Sequence, residues 1–231
     1  MNFHVLTIFP QMFDSPFSSG LISKAVAKGL VKIICHDIRE YTTDPHKTVD
    51  DYPFGGGAGM LMKPEPIFSA VEDLHSTNMI GKNSRIIVMS PQGRMFDNNI
   101  ARELTKYDEL VLICGRYEGI DERVIQNLAD EELSIGNYIL NGGELASMVI
   151  IDSVSRLIRG VIGSEESILQ DSFSDDLLKY PQYTRPRSFR GLDVPEVLLS
   201  GNHKIIEQWR KSKSIERTNQ KRPDLIGEED L

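Results

Sequence analysis

An α/β domain with a largely parallel sheet, followed by a small helical domain, is the fold that the sequence predicts. Three observations lead there. Over the first 160 residues strand-like and helix-like hydrophobic periods alternate, the βαβα order of a parallel sheet with helices on its faces. Two runs in that stretch, 85–89 and 110–114, are apolar almost throughout, as strands buried on both faces are. After Gly160 the alternation stops: residues 161–192 are rich in Ser, Asp, Arg and Pro, and 195–217 regain a helical period around the single tryptophan, Trp209. The expected organisation is an α/β domain at 1–160, a flexible linker at 161–192 and a small helical domain at 193–231.

In chain order, residues 3–9 read as a short strand, 11–28 as a helix and 31–38 as a second strand. The connection 39–63 is about twice the usual upper length of a loop without secondary structure, and loops of that kind tend to be functional. It contains Gly55-Gly56-Gly57-Ala58-Gly59. A helix at 64–78, a strand at 85–90, a helix at 97–106, a strand at 109–114 and a helix at 121–129 follow, then a short strand at 132–135 and a helix at 143–159. No internal repeat interrupts this order.

Composition removes several classes. With 231 residues, 40% hydrophobic and 26% charged, the chain can bury a sizeable core and is neither disordered nor collagenous. No apolar stretch reaches the roughly 18 residues of a membrane span, and the N-terminus has neither a basic region nor a small-residue cleavage site. Cys35 and Cys114 lie in apolar runs without metal-ligand spacing, so a disulfide framework or structural zinc is not expected and a reducing cytoplasm is. The net charge of −8 argues against a nucleic-acid partner until its distribution is read. Residues 179–190 carry four cations and no acid, and 204–222 carry seven cations against Glu207 and Glu216, while acids gather at 165–176 and 228–230. An acidic protein so arranged can present a basic face, although a solvated helix surface gives the same pattern.

Ligands of open parallel sheets bind beyond the carboxyl ends of the strands. Three turns expected there are built for close backbone approach: Ser90-Pro91-Gln92-Gly93, Gly115-Arg116-Tyr117-Glu118-Gly119, and the run from Ile135 through Gly136 and Asn137 to Gly142-Gly143. Each alone is explained by an ordinary tight turn or helix cap; three in succession are not so easily explained. The dinucleotide fingerprint GxGxxG does not follow the first strand, and GxxxxGK[ST], HExxH, GxSxG and the zinc-deaminase signature do not occur. A compact nucleoside-type ligand held mainly by backbone is what remains.

These turns, together with Val5-Leu6-Thr7-Ile8-Phe9-Pro10, Met12-Phe13, the glycine run ending in Met60, Cys114 to Arg123, Gly142-Gly143-Glu144 and Leu198-Leu199-Ser200-Gly201-Asn202-His203, run in order along nearly the whole chain. In them the sequence resembles the bacterial tRNA (guanine-N1)-methyltransferases, the TrmD family. The resemblance implies a SPOUT-type parallel-sheet domain whose C-terminal part is tied in a trefoil knot, a small helical C-terminal domain that binds tRNA, and a homodimer with its active site at the subunit interface. It implies S-adenosyl-L-methionine as methyl donor, N1 of the guanine at tRNA position 37 as acceptor, and Mg²⁺ as a candidate further cofactor. Two positions depart from the pattern: Ala58 stands where the family usually has proline, and Asn137 where it often has aspartate.

Neutral guanine holds a proton on N1, so methylation there needs a base at N1 and a cation or donor at O6, where negative charge collects. By position in the family motifs, Asp171 is the expected base and Arg156 the expected O6 partner. The resemblance assigns cofactor binding to Pro91, Gln92, Gly93 and Gly115, to Ile135, Gly136, Asn137, Tyr138, Ile139 and Leu140, and to Gly142 and Gly143. Glu118 is a candidate for placing the base or a metal, with pairing to Arg116 or Arg123 as its alternative. Without the family, Asp171 reads as a solvated acid in an acid-rich loop and Tyr138 and Leu140 as plain core. Two other functions compete: a SPOUT methyltransferase acting elsewhere on RNA, such as a ribose 2′-hydroxyl, which would not need Asp171, and a non-catalytic RNA-binding protein.

Overall fold

The computed structural model describes residues 1–163, 172–173 and 177–226. The chain divides into two compact units, Met1–Gly163 and Ser164–Leu231. Among the described residues no helix is long and apolar enough to cross a membrane.

The first unit is built on a five-stranded parallel sheet. Its strands are β1 (Asn2–Thr7), β2 (Lys32–Asp37), β5 (Ser84–Met95), β6 (Glu109–Cys114) and β7 (Glu131–Ser134), in the order β2-β1-β6-β5-β7. Because side chains alternate across a strand, the apolar runs split into two cores. Phe3, Val5, Ile87, Met89, Leu110, Leu112 and Leu133 share one with residues of α1 (Gly20–Ala27), α3 (Asn98–Leu104) and α5 (Glu144–Ser155). Leu6, Ile86, Val88, Val111 and Ile113 share the other with α2 (Pro64–Ser76) and α4 (Glu122–Asn127). Both faces are covered, which is why these strands read as continuous apolar runs.

Three expectations are corrected here. The helix expected at 11–28 is broken into a 3₁₀ turn, Pro10–Phe13, and α1. Pro16 offers no backbone donor and Gly20 takes φ of +77°, so the apolar period runs on through a segment whose backbone cannot stay helical. The turn expected at Ser90-Pro91-Gln92-Gly93 is instead a bulge inside β5, which re-pairs with β7 at Arg94 and Met95. The connection 39–63 is also not structureless. It opens with a 3₁₀ turn, Ile38–Tyr41, and its glycine run is closed by the short pair β3 (Asp50–Asp51) and β4 (Leu61–Met62).

His4 on β1 and His36 on β2 stack with ring centroids 5.3 Å apart, Nδ1 of the first 3.0 Å from Nε2 of the second. One ring must donate and the other accept, an arrangement open only while a nitrogen stays unprotonated. Burial, then the neighbouring His36 and Lys32, lower the His4 pKa to about 4; burial lowers that of His36 against the pull of Asp73. A group whose pKa falls on folding contributes stability above its unfolded pKa, near 6.5, and loses it as pH drops toward the folded value. Thermal midpoints should therefore fall between about pH 6.5 and 4, and a His4→Leu variant should show a shallower fall across that window. Parallel curves would show that this pair does not set the acid response.

Among the described residues of the second unit, polar contacts line α6 (His203–Lys221). Asn202 caps the helix by accepting the Ile205 N–H at 3.3 Å. The buried Thr218 hydroxyl donates to the Ser214 carbonyl at 2.7 Å and accepts the Leu178 N–H at 2.9 Å. Arg217 Nη1 donates to the Lys179 carbonyl at 3.2 Å, and the Arg210 guanidinium lies 4.9 Å from the Tyr180 ring centroid. A two-residue hairpin, β8 (Ser188–Phe189) with β9 (Leu192–Asp193), and a 3₁₀ turn, Glu196–Leu199, precede the helix.

Candidate functional site

A cavity of about 500 Å³ opens at the carboxyl ends of β5, β6 and β7. The position follows from topology: β6 neighbours β1 on one side and β5 on the other, yet the chain leaves β6 through α4 to form β7 beyond β5. Connections diverge where strand order reverses, and the crevice they leave is where such sheets bind ligands. The volume lies in the usual range for small-molecule sites.

Three loops make its walls. The β5 bulge contributes Ser90, Pro91 and Gln92; the segment after β6 contributes Gly115 to Ile120; the segment after β7 contributes Ile135, Gly136 and Tyr138 to Gly143. Pro91, Gln92, Gly115, Ile135, Gly136, Tyr138, Ile139, Leu140, Gly142 and Gly143 are thus brought together around one cavity, with Glu118 on the same wall. Gly93 and Asn137 do not line it. Gly93 serves packing: a Cβ there would stand 2.4 Å from the Glu132 carbonyl carbon, so only glycine lets the bulge lie against β7. Gly143 is as tightly placed, its N–H donating to the Gly115 carbonyl at 2.9 Å, and Arg116 and Gly142 form an antiparallel bridge. The floor is apolar, from Val88, Met89, Leu133 and Ala146.

The glycine run of the long connection is tied to the same wall. The Glu118 N–H donates to the Met60 carbonyl at 3.0 Å, and Met62 exchanges backbone bonds with Gly119 and Asp121. Phe54, at the start of the run, is fully exposed.

A buried ion pair stands behind the cavity wall. Glu144, at the start of α5, is 1% exposed; Arg116 donates Nε–H to its Oε1 at 3.1 Å and places Nη2 2.9 Å from its Oε2. Arg123 is bound to Asp121 at 2.7 Å, and these hydrogen bonds hold the Asp121 carboxyl below the usual carboxylate range. Both arginines expected as alternatives for Glu118 are therefore engaged by other carboxylates, and the exposed Glu118 faces the cavity rim with Glu122 and Glu132. Among the described residues no group of three or more His, Cys, Asp and Glu side chains is arranged to hold a metal ion. Cys114 is fully buried beside Ser147 Oγ at 3.1 Å, and burial pushes its thiol pKa far up, away from nucleophilic chemistry.

Of the expected catalytic pair, only Arg156 falls among the described residues. Arg156 is exposed, just past the end of α5, and does not line the cavity; Asp171 lies outside the described residues. Sequence reasoning passed over Glu144 and its partner Thr7. Glu144 stood in a recognised motif, but its burial is a tertiary property with no sequence signal.

Compared with known proteins, residues 1–228 match the family described as tRNA (Guanine-1)-methyltransferase TrmD. A tRNA (guanine-N(1)-)-methyltransferase of Carboxydothermus hydrogenoformans is 55% identical over 226 residues, 98% of this chain and 87% of that protein. One of Geobacillus kaustophilus is 54% identical over 228 residues, covering 99% and 92%. One of Dehalococcoides mccartyi is 52% identical over 226 residues, covering 98% and 90%.

Proposed function

The chain belongs to the tRNA (guanine-1)-methyltransferase family, and from that membership we propose that it transfers the methyl group of S-adenosyl-L-methionine to N1 of the guanine at position 37 of tRNA. The observation that carries this reading to particular residues is the cavity at the reversal of strand order, walled by the three segments that the family motifs occupy.

The residues fit such a donor. Walls formed by the segments 115–120, 135–136 and 138–143 suit an adenosine held close to the backbone, and the apolar floor suits the base face. Glu118, Glu122 and Glu132 at the rim favour a cationic ligand. When bound, S-adenosyl-L-methionine supplies an electrophilic methyl on sulfur whose leaving thioether is neutral. The walls then hold donor and acceptor in line at near-attack distance. Asp171 takes the N1 proton, and Arg156 offsets the charge that gathers on O6. No step is assigned to Mg²⁺, because the described residues present no ligand set for it.

A homodimer completes the site. α5 carries Ile150, Ile151 and Val154 into the core yet exposes Leu145 and Val149 on its other side, and a helix apolar on both sides is normally covered on both. Its 12 residues span about 18 Å, so Arg156 stands far from Gly143 in the same chain. A second copy can bring the two ends together. Residues 135–143 lead from the edge strand β7 back to the end of β6, where the Gly143 N–H donates to the Gly115 carbonyl.

The basic α6 neutralises tRNA phosphates. Binding should fall by roughly one logarithmic unit per tenfold rise in salt for each contact, and replacing Lys204 and Lys211 with Gln should reduce the slope by about two. An unchanged slope in filter-binding titrations would remove α6 from the interface. The deciding test of the function is transfer of labelled methyl to an unmodified tRNA transcript with guanine at position 37, beside one with adenine there. Label only in the first is expected. Equal labelling would discard the target base, and no label with donor bound would point to another RNA.

A further inference from the structure

We propose that Thr7, Phe9, Arg116 and Glu144 form a positioning latch behind the cofactor cavity, through which two residues outside the cavity wall, Thr7 and Phe9, set the affinity for the methyl donor. The inference rests on the reading that the cavity takes S-adenosyl-L-methionine.

The latch begins with a carboxylate in an expensive place. Glu144 is 1% exposed, and an ionised group so buried needs close partners. Arg116 supplies two contacts through Nε and Nη2, and its Nη1 donates to the Asn141 carbonyl at 3.2 Å. The planar guanidinium thus fixes the turn 141–144 relative to Gly115-Arg116, two opposed parts of the cavity wall. Gly142 confirms the closeness: a Cβ there would stand 2.2 Å from Arg116 Nε.

Thr7 and Phe9 hold the pair from behind. The buried Thr7 hydroxyl donates to Glu144 Oε1 at 2.8 Å and accepts the Phe9 N–H at 2.9 Å, so one hydroxyl orients the carboxylate and the chain leaving β1. The Phe9 ring lies 4.5 Å from the Arg116 guanidinium carbon, and Met12 Sδ is 3.3 Å from Nη2. Thr7, Phe9 and Met12 do not line the cavity. Replacing a buried ion pair with apolar side chains of similar size is often neutral for stability, so stability alone does not require this pair. Its placement under two cavity turns assigns it to holding wall geometry.

Calorimetric titration with S-adenosyl-L-methionine, run with thermal melts, separates the two roles. Thr7→Val should bind about tenfold more weakly, the effect of one lost hydrogen bond to a charged group, while Phe9→Leu should bind several-fold more weakly and Phe9→Tyr should bind as wild type. In turnover, KM for the donor should rise while kcat at saturation and KM for tRNA hold. The paired change Arg116→Met with Glu144→Leu should melt near wild type yet stay more than about tenfold weak. If that double variant regains full affinity with its stability, or if folded Thr7→Val and Phe9→Leu bind as wild type does, the latch is overturned and the contacts are structural only. Should the double variant fail to fold, the two single variants decide. Wild-type protein that binds no donor would overturn the cavity reading, and the latch with it; wild type that binds while the variants are unaffected overturns the latch alone.

Discussion

Replacing Gly143 with alanine is expected to weaken S-adenosyl-L-methionine binding by about a hundredfold while leaving the chain folded. The backbone at this position, φ −77° and ψ −8°, is open to any residue, so the cost is steric. The added Cβ would stand 2.8 Å from Cys114 Cα, 2.9 Å from Met89 Cβ and 3.2 Å from the Gly115 nitrogen. None of these is the free end of a flexible side chain. The turn 141–143 must therefore move, stretching the bond from Gly143 N–H to the Gly115 carbonyl and shifting the wall that faces the ligand. Overpacking of this kind costs about 1 to 3 kcal/mol, and the upper end corresponds to the expected loss of affinity. Calorimetry with a parallel thermal melt checks it; a folded Gly143→Ala protein with wild-type affinity would remove this turn from the binding wall.

Asp171→Ala is expected to lower kcat by about two to four orders of magnitude, the range over which a positioned general base acts. The argument is chemical: N1 of guanine is not nucleophilic until its proton leaves, and a thioether leaving group cannot take that proton. Donor affinity should be unchanged. Single-turnover methylation of guanine-37 tRNA across pH tests the role more sharply than one rate, because the wild type should lose activity on the acid side as the base is protonated and the variant should lack that limb. A variant retaining most of kcat would transfer the role to another group or to water and favour an acceptor, such as a ribose hydroxyl, with different proton demands.

Legibility tracked how local each cause is. β6 was expected at 109–114 and is Glu109–Cys114, because a strand buried on both faces announces itself as an apolar run. The segments after β6 and β7 were equally legible, since the chemistry of a glycine turn lies within a few residues. β5 was not: proline and glycine at 91 and 93 signal a turn, yet β7 supplies partners for Arg94 and Met95, and pairing with a distant strand overrides the local signal. The break of the helix expected at 11–28 went unread for the opposite reason, a continuous apolar period outweighing Pro16 and Gly20.

By itself the sequence determined the α/β class, the glycine segments after β6 and β7 and the family, because alternating periods, glycine chemistry and ordered motifs are all written in contiguous residues. Tertiary structure alone decided the strand order, the gathering of three loops into one cavity and the partners of its buried charge. Arg116 and Glu144 lie 28 residues apart and Thr7 lies 137 residues from Glu144. What a carboxylate does there depends on which atoms surround it once water is gone, and that is fixed only when the sheet has closed.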